Sequence, residues 1–445
     1  MTNGGTAVVD QALPIEATLT EAALTEAAAF TYVAAAGFSV GPVGRVGVEL
    51  EYVVRDPEAP ADRPSIPRLL AATAHLSDPL PGGGRLTIEP GGQLELSSAV
   101  GADLPSCLDA VEGDLALVRS TLAADGLVLD GTGLDARRPP RLITDHPRYQ
   151  ALATYHDQRN AKGREVMCNS ASVQVCLDAG DDSDGWGGYR QRWWLADAIG
   201  PMLQASFANS PRTVRRIRWV SYRQALRFGT DPSRTRAPRR TTEPRTAWAS
   251  YALAAKVALI AQPEPLPWIV PNGLTMRDWL RGLGPRPVTL DDLERHLGTL
   301  VPPIRPRGYL EFRMIDQQPE DGWIVPVAVV TALLDDPIAA EAAAEATEPL
   351  RSPLRRHHDW LASARTGLAD RALRRAARTC FEAAAAALAR AGAAPHVRHA
   401  VETFIERYPS RGRCPADTKR DDSKRRTASR RRVDRQQYAE PGRTG

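Results

Sequence analysis

The 445 residues of this chain lack the sequence signatures of disulfide scaffolds, zinc sites, common nucleotide-binding loops and membrane spans. The five cysteines form no CxxC pair and are odd in number, which argues against a disulfide scaffold, and no zinc motif is present. No GxGxxG or Walker loop occurs, so any nucleotide must be held in another way. Residues 1–14 lack a basic stretch followed by an apolar run, and no segment approaches the length of a membrane span. We therefore expect a cytoplasmic protein without a membrane anchor.

The charge of the chain is unevenly distributed. The formal net charge is +4, but residues 411–435 carry eleven Lys or Arg against four Asp, a surplus of +7 that leaves −3 for the remainder. This stretch has almost no apolar residues, so it cannot bury enough surface to offset the entropy of ordering it. We predict a basic disordered tail over 411–445. It is either an arm for nucleic acid or another acidic partner, or a solvated extension without a specific partner.

The remaining residues predict an α+β fold. Strands are predicted at 45–55, 85–99, 166–178 and 308–315, the second of these windows holding two strands around Pro-Gly-Gly. Helices are predicted at 19–37, 103–125, 191–208, 248–259 and 289–300, with a long loop at 230–245 and mostly helix beyond 315. Strands separated by long helices and joined by tight hairpins favour a mixed, mainly antiparallel sheet flanked by helices.

One strand carries two carboxylates on the same face. In the alternating segment 45–55, Glu49 and Glu51 lie two residues apart, opposite Val48 and Leu50. Two unpaired carboxylates cannot be buried side by side without a large cost, so they must face solvent or cations. A half-exposed sheet whose polar face carries glutamates by chance explains this pair equally well.

Three further strand segments repeat the pattern. The Pro90-Gly91-Gly92 turn brings Glu89, Gln93 and Glu95 together in a hairpin. Gln174 lies between two valines, and Glu311 shares a face with Arg313. Oxygen ligands of this kind suit Mg²⁺ ions shared with a nucleoside triphosphate. Arg313 fits a clamp for phosphate or carboxylate, although it could instead neutralise Glu311.

These segments together resemble the glutamate-cysteine ligases of the plant and actinobacterial type, within the carboxylate-amine ligase superfamily. The resemblance spans roughly residues 43–335 and is closest to the subgroup that serves ergothioneine synthesis. The segments that carry it are 47–51, 89–97, 172–178, 207–211, 222–223, 230–234, 248–253, 277–280, 289–292 and 309–316. It implies a curved sheet of the glutamine synthetase-like type in a single catalytic domain over 1–410, with a flexible leader at 1–18.

The resemblance also implies roles for individual residues. It places Glu49, Glu51, Glu89, Glu95, Gln174 and Glu311 at or beside Mg²⁺. It makes Arg223 the clamp on the α-carboxylate of glutamate, with Tyr222 and Asn209 as further substrate contacts, and it assigns Arg313 to phosphate and Gln93 to the nucleotide. The sequence alone, without the resemblance, favours Arg223 as one of several surface arginines.

The implied reaction joins glutamate to the amine of cysteine at the expense of ATP, through a γ-glutamyl phosphate. It needs no protein nucleophile, so we expect Cys168 and Cys176 to be packing residues. Two alternatives stay open: an acceptor amine other than cysteine, and a nucleic-acid-binding protein acting through its tail. Deletion of 417–445 should preserve catalysis if the chain is a ligase. The oligomeric state and the number of Mg²⁺ ions are not predicted.

Overall fold

The structure is a computed structural model that describes residues 24–239, 241, 243–350, 356–419 and 421. The predicted leader at 1–18 and most of the predicted tail lie outside these described residues. In the described part, no helix is both long enough and apolar enough to cross a membrane.

A seven-stranded antiparallel sheet forms the centre of the molecule. The strands along the chain are β1 (Val46–Arg55), β2 (Arg85–Ile88), β3 (Leu94–Ser97), β4 (Val128–Asp130), β5 (Ser172–Asp178), β6 (Arg212–Val214), β7 (Ile217–Trp219), β8 (Ile304–Pro306) and β9 (Tyr309–Asp316). The spatial order is β2-β3-β1-β5-β9-β8, with β4 paired to the end of β1, whereas β6 and β7 form a separate hairpin. Every pairing within the central sheet is antiparallel, which confirms the predicted fold class.

Helices cover both faces of this sheet. They are α1 (Glu26–Gly37), α2 (Ile66–Thr73), α3 (Leu104–Ala124), α4 (Pro147–Asp157), α5 (Lys162–Asn169), α6 (Tyr189–Ser206), α7 (Tyr222–Phe228), α8 (Pro232–Thr235), α9 (Pro244–Ala254), α10 (Met276–Asp278), α11 (Leu290–Leu297), α12 (Ile324–Asp335), α13 (Pro337–Thr347), α14 (Arg356–Thr366), α15 (Arg371–Arg390) and α16 (Pro395–Arg407).

The helix ends follow from local sequence. Asp103, directly before α3, accepts a hydrogen bond from the Ser106 amide at 2.8 Å, and the Asp103 amide donates one to Ser106 Oγ. Thr289 and Asp292 form the same reciprocal pair at the start of α11. These caps satisfy amides that a helix cannot pair internally, which is why both starts could be predicted to within one residue.

Alternation along the strands separates an apolar face from a polar face. Val48, Leu50, Leu96, Val175 and Phe312 are each at most 2% exposed. The helices α3, α6 and α12 contact the strands β1, β9 and β5 respectively, and α12 is buried along almost its whole length. The hydrophobic core therefore lies behind the sheet, and the glutamates lie on its other face.

Three local predictions are wrong at their boundaries. Residues 166–169, predicted as the start of a strand, belong to α5, and the strand begins at Ser172. The predicted loop 230–245 contains the short helix α8, whose first turn is capped by Asp231. The helix predicted over 248–259 starts at Pro244 and ends at Ala254, because Pro244 favours a first helical turn and residues 255–260 are extended.

Candidate active site

The polar face of the sheet brings the predicted carboxylates together. Glu51 lies opposite Glu95 across the β1–β3 pair, and Glu49 lies opposite Gln174 across the β1–β5 pair. Glu89 joins them from the hairpin between β2 and β3, which is closed by a hydrogen bond from the Glu89 amide to Gln93 O at 2.8 Å. Side chains from three adjacent strands and from the β2–β3 turn therefore converge on one acidic surface.

Glu51 is held by hydrogen bonds from the next strand. Ser172 Oγ donates to Glu51 Oε2 at 2.8 Å, and Gln174 Nε2 donates to Glu51 Oε1 at 3.0 Å. Gln174 is 1% exposed, and its Oε1 has no donor among the described residues. A buried acceptor without a partner costs free energy, so this oxygen is available to a cation.

The pKa values of the cluster show how closely its charges are packed. Burial, and then the neighbouring carboxylates, raise the pKa of Glu49 and of Glu89 to about 7. Burial and the same neighbours raise the pKa of Glu95 well above its ordinary value. Like charges at this spacing cannot all ionise unless cations join them, so the donor set fits one or more divalent ions.

Glu311 behaves differently because two arginines neutralise it. Arg305 donates to both of its carboxylate oxygens, and Arg313 Nη1 lies 2.6 Å from Glu311 Oε1. Although burial opposes ionisation, these guanidinium groups lower the pKa of Glu311 to about 2. Glu311 is thus an ionised, fully buried carboxylate, and Arg305 is a partner that the sequence analysis missed.

Gln93 fixes the hairpin to the C-terminal end of α5. Its Oε1 accepts from the Gly91 amide at 3.0 Å, and its Nε2 donates to Ser170 O at 2.9 Å. The positive φ of the turn falls on Gly92, at 82°, while Gly91 lies so close to Cys168 O that a Cβ atom would stand 2.0 Å from it. Gln93 lines the cavity described next, but its amide is already used by these contacts.

A cavity of about 210 Å³ opens beside Glu51, Glu89 and Arg313. It lies between the polar face of the sheet and the helices α4, α5, α7 and α8. Five arginines line it, together with Tyr155, His156 and Asp231; the arginines are Arg148, Arg223, Arg227, Arg234 and Arg313. The Nε groups of Arg148, Arg223 and Arg313 are buried and have no acceptor among the described residues. Such donors favour an anionic ligand.

Arg223 is positioned by backbone carbonyls and by Asp316. Its Nη2 donates to Arg313 O at 3.0 Å, and its Nη1 lies 3.6 Å from Asp316 Oδ1. It is 3% exposed and lines the cavity, so it is not a surface arginine. Burial lowers its pKa, with Asp316 and then Glu51 acting in the opposite direction.

The other two predicted substrate contacts lie outside the cavity lining. The Asn209 side chain donates to Gly131 O at 2.9 Å and to Gln317 O at 2.6 Å, so it joins loops below the site. Tyr222 is half-buried, with the Arg212 guanidinium 4.9 Å from its ring centroid. Conversely, Arg148, Arg227 and Arg234 line the cavity and were not predicted.

The cysteines near the site are unreactive. All five cysteines of the chain are buried and unpaired. Burial raises the pKa of Cys168 to about 11, and burial together with Glu49 and Glu311 raises the pKa of Cys176 well above its usual value. Both thiols are therefore protonated near neutral pH and are poor nucleophiles.

Comparisons with known proteins give the chain its family. Residues 45–439 match the model of glutamate-cysteine ligase family 2. The chain is 39% identical to the glutamate-cysteine ligase EgtA of Mycolicibacterium smegmatis, over 91% of this chain and 92% of that protein. It is 35% identical to EgtA of Mycobacterium tuberculosis, over 92% of each chain.

Two more distant proteins that the chain resembles are also glutamate-cysteine ligases. The chain is 29% identical to a chloroplastic glutamate-cysteine ligase of Medicago truncatula, over 53% of this chain and 47% of that one. The crystal structure of a glutamate-cysteine ligase from Francisella tularensis, in complex with AMP, superposes with a TM-score of 0.50 at 12% identity, covering 85% of this chain and 84% of that one. The fold is therefore shared across a wide range of sequence. The chain belongs to glutamate-cysteine ligase family 2, and it is a ligase.

Proposed function

We propose that this ligase forms γ-glutamylcysteine from glutamate and cysteine with ATP, as the first step towards ergothioneine. The observation that carries the proposal is the acidic sheet face opening directly onto an arginine-lined cavity. The acidic face suits a metal-bound triphosphate, and the arginines of the cavity suit an amino-acid carboxylate. The high identity to EgtA over nearly the whole chain supports the same substrates.

The reaction takes place in two steps. An oxygen of the glutamate γ-carboxylate attacks the γ-phosphorus of ATP, forming γ-glutamyl phosphate and releasing ADP. The neutral amine of cysteine then attacks the acyl carbon, phosphate leaves, and the amine loses a proton. The protein supplies positioning and charge, since the reacting groups of the first step are all anionic.

Arg223 and Arg313 provide that charge. Arg223 holds the α-carboxylate of glutamate from the α7 side of the cavity, and Arg313 faces the transferred phosphoryl group from the sheet. Arg313 carries a permanent charge, because Glu311 and the other glutamates raise its pKa against the effect of burial. Glu311 and Arg305 fix its position from behind.

Mg²⁺ is the proposed cofactor. Glu49, Glu51, Glu89, Glu95, Gln174 and Glu311 would hold it. The unpartnered Gln174 Oε1 and the raised pKa values of Glu49, Glu89 and Glu95 fit that role, whereas both oxygens of Glu311 already accept from Arg305. When bound, Mg²⁺ screens the phosphate charge and orients the triphosphate.

The reaction is proposed to occur in the cytoplasm. ATP and the amino-acid substrates are available there, and the five unpaired cysteines suit a reducing compartment.

The test is to identify the product by mass after incubation with ATP, Mg²⁺, glutamate and one amine at a time. We expect γ-glutamylcysteine with cysteine, and ADP release that depends on cysteine. Strong turnover with alanine or an alkylamine, but not with cysteine, would overturn the choice of acceptor.

The metal role is tested by substitution of the carboxylates. Glu51→Gln and Glu95→Gln should reduce turnover by at least about a thousandfold and retain the circular-dichroism spectrum of the folded protein. Glu58→Gln, on the exposed loop after β1, is the matched control and should retain full turnover. Normal activity in both of the first two variants would refute the assignment.

A further inference from the structure

The C-terminal segment 412–419 is packed against the site, although it was predicted to be part of the tail. Cys414 and Ala416 are 1% and 0% exposed and form a small apolar cluster with Ala208 and Val220. This cluster is separate from the main core. Ala208 directly precedes the loop residue Asn209, and Val220 directly precedes the cap of α7, so the segment contacts both approaches to Arg223.

Polar contacts fix this segment in register. The Ala416 amide donates to Ala208 O at 2.9 Å, and Asp417 forms an ion pair with Arg218 at 2.7 Å. Arg218 lies on β7, the strand that leads into α7. Lys419 Nζ donates to Thr132 Oγ1 at 3.0 Å and to Asn209 O at 3.3 Å. Ordering the half-buried Lys419 side chain costs conformational entropy, and these two hydrogen bonds hold it against the loop.

The loop that Lys419 contacts is joined to Arg223 through a single carboxylate. Asp316 Oδ2 accepts from the Asn209 amide at 2.8 Å and from Ser210 Oγ at 2.7 Å. Its Oδ1 accepts from Ser221 Oγ at 3.0 Å and lies 3.6 Å from Arg223 Nη1. Ser210 Oγ also accepts from the Arg223 amide at 3.2 Å. Hydrogen bonds thus run from Lys419 through Asn209 to Asp316, and Asp316 forms an ion pair with the Arg223 guanidinium.

We propose that Lys419 and Asp417 are positioning residues for Arg223. They hold the loop 208–210 and the start of α7, so that the Arg223 guanidinium faces the cavity at a fixed place. This inference rests on the proposed role of Arg223 in binding the α-carboxylate of glutamate. It also assigns Asp417 and Lys419 to the support of the substrate site rather than to a tail.

The test compares variants of full-length enzyme by their KM values for glutamate and for ATP. Lys419→Met removes the ammonium group and keeps the apolar stem, and Asp417→Asn removes the ion pair and keeps the shape. Both should raise KM for glutamate about five- to tenfold and leave KM for ATP unchanged. Lys419→Arg should recover most of the wild-type value. Arg413→Ala is the matched control, because Arg413 lies on the same segment but pairs with Asp421, just beyond it.

Amide hydrogen exchange gives a readout that does not depend on the substrate. We expect the amides of residues 208–210 and 221–223 to exchange faster in Lys419→Met and Asp417→Asn than in the wild type. In Arg413→Ala they should exchange at the wild-type rate. Unchanged exchange together with an unchanged KM for glutamate in both variants would overturn the inference, as would an equal rise in both KM values. Arg223→Lys separates the two proposals. If Arg223→Lys leaves KM for glutamate unaltered, Arg223 does not bind the α-carboxylate of glutamate. The amide exchange rates then test by themselves whether Lys419 holds the loop.

Discussion

At the scale of single residues, His296 gives the fold a defined response to acid. His296 on α11 is 3% exposed, and its Nε2 donates to Ala252 O at 2.8 Å. Burial, and then Arg234, lower its pKa from 6.5 to about 3. Below pH 6.5 the unfolded chain therefore binds a proton that the folded protein excludes. Stability from this residue is complete above that pH and is lost as the pH falls towards 3.

His296 is expected to contribute about 1.4 kcal/mol of unfolding free energy per pH unit to the slope in this window. His296→Gln should reduce the slope by this contribution relative to the wild-type protein. Urea unfolding at about pH 7 and about pH 5 measures the slope of each protein. Identical slopes in wild type and His296→Gln would show that His296 does not titrate in this way.

Arg305 permits a second test at this scale, because it compensates a buried charge. Glu311 is 0% exposed, and Arg305 donates to both of its oxygens. Arg305→Met should lower the free energy of unfolding by about 3 kcal/mol, since it leaves Glu311 with Arg313 alone.

The double variant Arg305→Met with Glu311→Gln should regain part of that stability, because the uncompensated carboxylate is gone. Chemical unfolding of the two single variants and the double variant gives the coupling free energy. Additive losses would mean that the two residues do not act as a pair.

At the scale of elements, the hairpin between β2 and β3 depends on one close approach. A Cβ atom on Gly91 would stand 2.0 Å from Cys168 O, in the last turn of α5. Gly91→Ala should therefore displace the hairpin and with it Glu89 and Glu95. We expect turnover to fall by at least about a hundredfold and the melting temperature to drop by several degrees.

Gly113 is the matched control, because a Cβ atom there meets nothing within 4 Å inside α3. Gly113→Ala should raise the free energy of unfolding by about 0.5–1 kcal/mol without changing turnover. Differential scanning calorimetry and the product assay compare the two variants. A Gly91→Ala enzyme with wild-type kinetics would mean that the hairpin adapts without moving its carboxylates.

Some elements could be predicted from sequence and others could not, for identifiable reasons. The face of β1 followed from alternation alone, and the start of α3 followed from the Asp103 cap. The edge strand β8 was missed because Pro302, Pro303 and Pro306 surround Arg305, and proline is tolerated in sheets only at edges and strand starts. With that strand the partner of Glu311 was missed too. Residues 166–169 were misassigned because a short apolar run fits helix and strand equally.

At the scale of the whole molecule, the cavity was the hardest feature to predict. Its arginines come from α4, α7, α8 and β9, which are far apart in sequence and carry no shared motif. Local pattern can place Glu49 and Glu51 on a face, but only tertiary packing distinguishes buried Arg223 and Arg227 from exposed arginines nearby. The family resemblance supplied the role of Arg223, and the physics of the sequence supplied the carboxylates.

Truncations from the C-terminal end test how far the folded unit extends. The sequence predicted that deletion of 417–445 preserves catalysis, but that cut falls within the packed segment and removes Asp417 and Lys419. We now expect three outcomes from a truncation series. Deletion of 422–445 should leave the melting temperature and both KM values at their full-length values.

Deletion of 417–445 should raise KM for glutamate with little loss of stability, because Cys414 and Ala416 stay in place. Deletion of 412–445 also exposes the apolar cluster with Ala208 and Val220, so it should lower the free energy of unfolding by about 2–3 kcal/mol in addition. Thermal melts and steady-state kinetics on the same preparations separate the two effects. If the first deletion already raises KM for glutamate, the boundary of the functional unit lies beyond residue 421, within the basic residues that follow.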